Sequence, residues 1–565
     1  MIVNYVRIEN YRNFKNFQTA LSKLSIIVGE NDSGKSNFLH AIKLPFCSNE
    51  LEYRNKNLLP LDFNSETVRE FYDKVKSGAD NGELLKCIPI IRVTIQFDAI
   101  GDDHYAKAIV GNWITESNGK TAYEIQYCYQ PKNNADFLEL AKKLICGSDK
   151  AQDNLSFLIP TEFYDYTIIS TNNHKIIPYN DLKHITINSI NAERDDFSES
   201  SSMKSNSILT RLLEKKLTKD EKTKIHEAYF SFFREIKDQD NFKKIFNGDL
   251  EFPDLDRFIE NIDCIPNLAN LKNILSNITL AYGDEFLYQK GLGQRNLIFI
   301  ILFFQHFKNS KSCFNLSCIE EPESHLSTNN LNLVVDYIKK SLAVSGDLFQ
   351  TIISSHSPKV INKLEFQNVI AFCGNTAVSF RDVDESLVKY LSKRPNFDIL
   401  KLLFSNRVIL VEGTTEEMFI NTILGLDKNT LNNIDIISIG QKGYRTFLEI
   451  WKKLNGSSES KKIGVIRDLD GQPKAKKDHD VYDDKKTIFV RTTSGYTLED
   501  DIVLTGTNCT LISTHFRIED DAETVSNFLK SSKADNMLDL CNAMQEDKIV
   551  ISIPNHITEI LNSLK

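Results

Sequence analysis

The sequence predicts an α/β protein, with a nucleotide-binding domain in two parts, a helical insertion between them, and a second α/β unit behind. Three observations carry that expectation. Gly29-Glu-Asn-Asp-Ser-Gly34-Lys35-Ser36 fits the phosphate-loop pattern G-x-x-x-x-G-K-[ST], between an apolar run (Leu24 to Val28) and a helical pattern with Phe38, Leu39, Ala41 and Ile42. Two later strand-like runs, Phe314 to Ile319 and Gln350 to Ile353, end in Glu320-Glu321-Pro-Glu323 and Ser354-Ser-His356-Ser-Pro. Two further apolar runs, Val408 to Val411 and Ile463 to Ile466, lead into Glu412-Gly-Thr-Thr-Glu416-Glu417 and Arg467-Asp468-Leu-Asp470-Gly.

At 565 residues the chain has material for two to four domains. A net charge of -9, from 68 basic and 77 acidic residues, excludes a general polyanion binder. Contact with nucleic acid would have to use local basic patches or bridging cations. The ten cysteines include no C-x-x-C pair and no histidine pair beside them, so reduced thiols are expected and a zinc site is not. The first residues read as a strand, without the pattern of a signal peptide. The longest apolar run, Leu297 to Phe304, is far too short to span a membrane. A cytoplasmic protein is the expectation.

Along the chain, Ile2 to Ile8 reads as a strand and Asn10 to Phe14 as a turn, followed by the phosphate loop, its helix, and a strand at Ile88 to Phe97. Tyr123 to Tyr129 and Tyr166 to Ser170 are strand-like, and Phe197 to Met203 is a polar, low-complexity crossing. From about 205 the pattern turns helical, with Leu209, Leu212, Leu213 and Leu217 on one face. That face suits either an oligomerisation surface or a bundle packed on its own domain. Strands and helices alternate again from about 281, and a new unit starts near Asn406. The expected division is 1–195 and 281–395 for the two parts of the nucleotide-binding domain, 196–280 for the insertion and 400–565 for the last unit. Asn455 to Ser460 and Gln472 to Asp478 read as polar loops, the second carrying Lys474, Lys476 and Lys477.

The chemistry of the nucleotide site follows from residue type. Gly29 and Gly34 let backbone N–H groups curl around phosphate oxygens, and the helix N-terminus adds partial positive charge. Lys35 would reach the β/γ-phosphates and Ser36 would ligate magnesium. Asn31, Ser33 and Asn37 complete the nucleotide-contacting set. Glu320 would hold the magnesium through water and Glu321 would orient the attacking water. His356, at a strand end, can sense a γ-phosphate.

This order of motifs resembles the ABC-type ATPases of the SMC, Rad50 and RecF kind. In that group two heads sandwich ATP, each offering a signature loop to the other. Gly291-Leu-Gly293-Gln-Arg295-Asn stands where that loop should be, before the helix Leu297 to Phe304, but lacks its serine; the alternative is an N-terminal helix turn with no partner contact. Arg295 could stabilise phosphate charge on a second copy or be an ordinary surface residue.

The acidic strand ends point to metal chemistry. Crowded carboxylates repel one another unless cations neutralise them, and oxygen ligands favour magnesium, manganese or calcium. Glu412 sits at a strand's carboxyl end, where α/β folds place ligands. Thr414 with Glu417 reads as a capping box, which leaves Glu416 near Glu412 in the first helical turn. Asp468 and Asp470 share one side if the segment stays extended. Leu498-Glu499-Asp500-Asp501 is a third acidic group. The order strand-Glu-Gly-x-x-Glu, then strand-Asp-x-Asp, resembles the Toprim domain of topoisomerases, primases and some nucleases.

An ABC-type ATPase followed by a Toprim domain resembles the OLD (overcoming lysogenisation defect) nucleases, and within that family the nuclease subunits of Gabija antiphage systems. Phe528 to Met537 resembles a stretch of those subunits that carries an active-site lysine, falling on Lys533. The resemblance also makes Glu499 the best-matching ligand of the third acidic group. It implies metal ligation by Glu412, Glu416, Asp468, Asp470 and Glu499. Glu412, Asp468, Asp470 and Lys533 would carry DNA cleavage, and Glu321 ATP hydrolysis. It further implies ATP and magnesium (or manganese, with calcium a further option) as cofactors, a homo-oligomer (dimer or tetramer) through the ATPase heads, and a UvrD-like helicase partner. Lys474, Lys476 and Lys477 could touch the DNA backbone. An RNA-cleaving Toprim enzyme and a non-catalytic ATP-binding sensor remain the alternatives.

Overall fold

The computed structural model describes all residues except 48, 99–103, 118–119, 148–154, 192–207, 241–270, 277, 308–311, 313, 345–348, 384, 386–387, 390–392, 394–398, 427–432, 441–442, 456–459 and 472. The predicted crossing at Phe197 to Met203 and a large part of the predicted insertion lie outside the described residues. Contacts divide the chain into two compact units, Met1–Ile26 with Ser36–Ser355, and Ile27–Lys35 with His356–Lys565.

The first unit holds two sheets. One is built from β1 (Val3–Tyr11), β2 (Phe14–Ala20), β4 (Ile91–Phe97), β5 (Ile114–Ser117), β6 (Lys120–Pro131) and β7 (Tyr164–Ser170), in the order β2-β1-β4-β6-β5 with β7 also on β6. Its pairings are antiparallel. Alternation of buried Val6 and Ile8 with less buried neighbours gives β1 its inward face. The other sheet places β12 (Phe349–Ser354), β11 (Phe314–Glu320) and β8 (Ile185–Ile190) side by side in that order, and β3 (Leu24–Gly29) begins in this unit with Leu24–Ile26. β11 runs parallel to both β12 and β8 and is buried along its whole length, the pattern of a strand covered on both faces. A two-residue hairpin pairs β9 (Ala281–Tyr282) with β10 (Glu285–Phe286). Of the predicted insertion, helices Ile208–Lys216, Lys219–Lys237 and Leu271–Leu275 are described, and Leu212 is buried.

One buried amide ties the two sheets together. Gln350 of β12 accepts the Val3 N–H at 2.8 Å and donates to the carbonyls of Val3 and Ser22, each at 2.8 Å.

In the second unit, β13 (Val369–Cys373) and β14 (Thr376–Ser379) form an antiparallel hairpin. β15 (Arg407–Val411), β16 (Ile434–Ser438), β17 (Lys462–Arg467) and β18 (Ile488–Thr492) make a fully parallel sheet in the order β16-β15-β17-β18. Helices Thr414–Leu426, Leu498–Leu504, Ala522–Ser531, Lys533–Gln545 and Asn555–Leu564 bury a common core with it through Phe419, Ile502, Val525, Leu540 and Ile560. Gly464 of β17 lets the last helix lie close, since a Cβ there would stand 2.6 Å from Ile560 Cγ2. Among the described residues no helix is long and apolar enough to cross a membrane, and Cys47, Cys87, Cys128, Cys146, Cys318, Cys373, Cys509 and Cys541 are free.

Three local expectations are corrected. The segment Gly291–Asn296 is not a loop before a helix, because the helix starts at Leu292 and takes Gly293 to Asn296 into its first turn. The Gly291 carbonyl accepts the N–H groups of Gln294 and Arg295 at 3.1 and 3.3 Å, and the missing Cβ of Gly293 leaves room for the His325 carbonyl. The lysine-rich stretch expected as a loop is the helix Pro473–Asp480. Proline suits a first helical position, and the lysines and Ala475 are good helix formers. The helix expected to be capped by Thr414 takes that residue in as its first.

Replacing Gln350 by Leu would leave two carbonyls and one N–H without partners in the core. That is expected to cost the first unit about 3 kcal/mol, seen in calorimetry as an earlier melting transition.

Candidate active site

The parallel order of β15, β17 and β18 brings their carboxyl ends to one edge, and the acids follow from that topology. Glu412 is the first residue after β15, and its carbonyl is pinned by the Gly440 N–H at 2.8 Å. Asp468 follows β17 and is buried. Glu499 lies in the first turn of helix Leu498–Leu504 and is fully buried.

These acids raise one another's affinity for protons. Burial first, then the Asp470 and Glu416 carboxylates, push the Glu412 carboxyl up to about 7, while Arg467 and a hydrogen bond from the Asp468 N–H pull it down. Asp468 is pushed up to about 8, by burial first and then by Glu416 and Glu412; Lys533 lowers it and Glu499 raises it. The Lys533 ammonium stands 3.2 Å from Glu499 Oε1, while Glu499 Oε2 has no hydrogen-bond donor among the described residues. Burial lowers the Lys533 value, but Glu499, Glu416 and Asp468 together leave it raised, so this ammonium stays charged. The structure thus brings together all five predicted acids and the predicted lysine. Among the described residues, no three His, Cys, Asp or Glu side chains yet form a ready-made ion site. The donor set nonetheless suits a hard divalent cation, because it is all oxygen, crowded with negative charge, and includes a buried carboxylate oxygen without a partner.

Two details of the acidic motifs differ from expectation. Glu416, not Glu417, closes the helix start, for its Oε2 accepts the Gly413 N–H at 2.9 Å and the Thr415 hydroxyl at 3.1 Å. Helix Thr414–Leu426 begins at Thr414, so the frame is one residue earlier and Glu416 falls on the third helical position. The segment after Asp468 does not stay extended. Asp470 turns into the left-handed region at φ +48° and donates its N–H to the Tyr496 carbonyl at 3.0 Å.

The other acids of the third group are engaged elsewhere. Asp500 accepts the Thr497 N–H at 3.0 Å, the Ser526 hydroxyl at 2.5 Å and the Lys530 ammonium at 2.5 Å, contacts that hold its carboxyl low despite partial burial. Asp501 pairs with buried His556 at 3.0 Å and accepts the N–H groups of Ser494 and Gly495, which lower its value against burial. His556 is a residue the sequence did not single out, and so is Arg467. The Arg467 guanidinium is buried beside the acids, donates to the Asp468 carbonyl at 3.2 Å and meets His479 Nδ1 at 3.1 Å. A basic residue directly before the Asp-x-Asp motif was a readable signal for Arg467. Nothing near His556 in the sequence points to Asp501.

At the phosphate loop, Lys35 donates to the carbonyls of Gly29 and Glu30 at 2.9 and 2.8 Å. Gly34 has φ +94°, a conformation that favours glycine, and a Cβ on Gly29 would fall 2.3 Å from Ser33 Oγ. Asn31 is exposed beside them. Glu30 pairs with Lys461 at 2.7 Å, and Lys461 Nζ also donates to the Phe404 carbonyl at 3.3 Å, a contact no motif announces. In the first unit, Ser36 donates to Glu320 Oε2 at 3.3 Å, which places two predicted magnesium-handling groups together. Asn37 bridges Arg12 at 2.9 Å and Asn13 at 2.8 Å. Glu321 sits at φ +41°, donates its N–H to the Ser354 carbonyl at 2.9 Å and accepts the Ser324 hydroxyl at 3.2 Å. His356 opens the second unit after β12 and is half-buried.

Residues 1–361 match the AAA ATPase domain family. The chain belongs to that family. Residues 403–470 match the Toprim domain of overcoming lysogenization defect protein-like sequences. An ATPase domain and a Toprim domain in one chain make this AAA ATPase family member an enzyme and imply use of a nucleotide and a divalent metal. The chain is 23% identical over 544 residues to Endonuclease GajA of Bacillus cereus (strain HuB5-5), covering 80% of this chain and 75% of that protein. It is 32% identical over 117 residues to Old nuclease of Escherichia phage P2, covering 19% of this chain and 20% of that protein. A solved SmcHead, bound to the C-winged helix domain of ScpA, aligns with 68% of this chain and 100% of its own at 15% identity and a TM-score of 0.34.

The raised carboxyl values fix a direction for pH. The unfolded chain releases these protons near pH 4, whereas the folded site holds them to about 7 at Glu412 and about 8 at Asp468. The stability they contribute is complete below about pH 4 and is lost as pH rises through those folded values. In chelator, the melting temperature of the second unit is expected to fall between about pH 5 and pH 8, and Asp468→Asn to flatten that slope. Added manganese should restore more at about pH 8 than at about pH 5.

Proposed function

We propose that this chain is a nucleotide-regulated, divalent-metal-dependent DNA endonuclease of bacterial antiphage defence. The observation that carries the reading is the mutual repulsion of Glu412, Glu416, Asp468, Asp470 and Glu499 at one sheet edge, with the Lys533 ammonium beside Glu499. The names of the two relatives, an endonuclease and a nuclease, support the reaction class. A divalent cation held by these five carboxylates would supply an activated water and neutralise charge on the phosphodiester. The chain's own residues do the rest. Arg467 and the Asp468 N–H hold Glu412 in place. Lys533 is half exposed, so its ammonium can leave Glu499 for a phosphate oxygen and stabilise charge there. The exposed Lys474, Lys476 and Lys477 on helix Pro473–Asp480 supply positive charge for a DNA backbone.

On the nucleotide side, Gly29, Asn31, Ser33, Gly34, Lys35, Ser36 and Asn37 would hold ATP. Ser36 and Glu320 would share its magnesium, Glu321 would orient water and His356 would sense the γ-phosphate. In this reading the ATPase heads of two copies engage, a UvrD-like helicase is the partner, and the setting is the cytoplasm.

Plasmid nicking with manganese tests this directly. Glu412→Ala and Asp468→Asn are expected to lose at least about 100-fold in rate, and full activity in Glu412→Ala would defeat the metal site. Cleavage of total RNA with plasmid left intact would move the target to RNA. Lys35→Ala is expected to lose ATP binding while still nicking without nucleotide, which separates the regulatory site from the cutting site.

A further inference from the structure

Tyr496 is exposed where a free-standing aromatic ring has no folding role. The residue is 59% accessible, and the nearby Leu504 is 68% accessible. Single exposed apolar side chains are ordinary on mobile surface. Tyr496, however, sits on backbone that is fixed on every side. Asp501 accepts the N–H groups of Ser494 and Gly495 at 2.8 and 2.5 Å. The Thr493 hydroxyl donates to the Gly495 carbonyl at 3.0 Å. The same loop grips the acidic turn, with Leu469 N–H on Thr493 Oγ1 at 2.9 Å and Asp470 N–H on the Tyr496 carbonyl at 3.0 Å. The ring itself leans on the glycine after Asp470, where a Cβ on Gly471 would stand 3.3 Å from Tyr496 Cε2. Gly495 cannot carry a side chain, since its Cβ would fall 2.8 Å from Asp500 Cβ.

Beside the ring opens a pocket of about 380 Å³, within the usual range for small-molecule sites, about 300–1,000 Å³. Val503 and Ala522 line it with apolar surface, and Ser526, Asn527 and Lys530 bring polar groups. Lys530 is neutralised by Asp500 at 2.5 Å, and Glu523 adds negative charge, so the pocket does not suit a phosphate. A flat neutral ring with a hydrogen-bonding edge does suit it: an aromatic face to stack on, apolar walls, the Asn527 amide to meet the edge, and the Ser526 oxygen, whose proton goes to Asp500, to accept from it.

We propose that this pocket receives an unpaired nucleobase of the DNA strand being cut, with Tyr496 as its stacking platform. The proposal rests on the endonuclease reading of the adjoining acidic site. It makes Tyr496 a specificity-determining residue, favouring DNA whose bases are unpaired next to the scissile bond.

The test uses the full chain in chelator, so that binding is read without cleavage, and a single-stranded DNA oligonucleotide carrying 2-aminopurine, whose fluorescence stacking quenches. The wild type and Tyr496→Phe are expected to bind and quench, and Tyr496→Ala to bind at least about tenfold more weakly with the quench lost. With manganese, Tyr496→Ala should raise KM for bubble-containing duplex and leave kcat in place. Binding and quenching by Tyr496→Ala equal to wild type overturn the proposal, and so does quenching by an RNA oligonucleotide of the same sequence, likewise carrying 2-aminopurine, with none by the DNA. A wild type that quenches but never cleaves DNA would sink the endonuclease reading while the base pocket stood.

Discussion

Five carboxylates at one edge of a parallel sheet repel one another, and much of the second unit can be understood as the means of holding them there. Parallel pairing of β15, β17 and β18 leaves the chain no choice about where Glu412, Asp468 and the loop before Glu499 emerge. Burial makes the repulsion worse, because little water screens it. The opposition comes from fixed positive charge and from backbone. Arg467 lies under the cluster, Lys533 faces Glu499, and the Asp468 N–H points at Glu412. Behind these stands ordinary packing. Helix Asn555–Leu564 presses on β17 at Gly464, and His556 of that helix braces Asp501, two residues from Glu499.

The parts of this architecture written in local pattern were legible in the sequence. Phosphate loop, acidic strand ends and the glycines that turn them are short-range signals, and their order resolves into an ATPase domain followed by a Toprim domain. What was hidden has two physical sources. One is frame: Thr414 looked like a cap, but the helix takes it in as its first residue, and the burden passes from Glu417 to Glu416. The lysine-rich segment misled in the same way, since polar composition says loop while Pro473 and its followers permit a helix. The other source is distance. His556 with Asp501, Lys461 with Glu30 and Gln350 with Val3 are contacts between residues far apart in the chain, and no local pattern encodes a partner.

The phosphate loop is itself tied into the second unit. Lys461, one residue ahead of β17, reaches Glu30 inside the loop, while the far end of β17 delivers Asp468. Ser36 and Glu320 pair within the other unit.

Lys533 gives the acidic centre a counter-ion that is part of the polypeptide. Its ammonium already neutralises the most deeply buried acid, at 3.2 Å. The centre therefore carries part of its own counter-charge in the polypeptide, and the unrelieved repulsion falls on Glu412 and Asp468 rather than on Glu499.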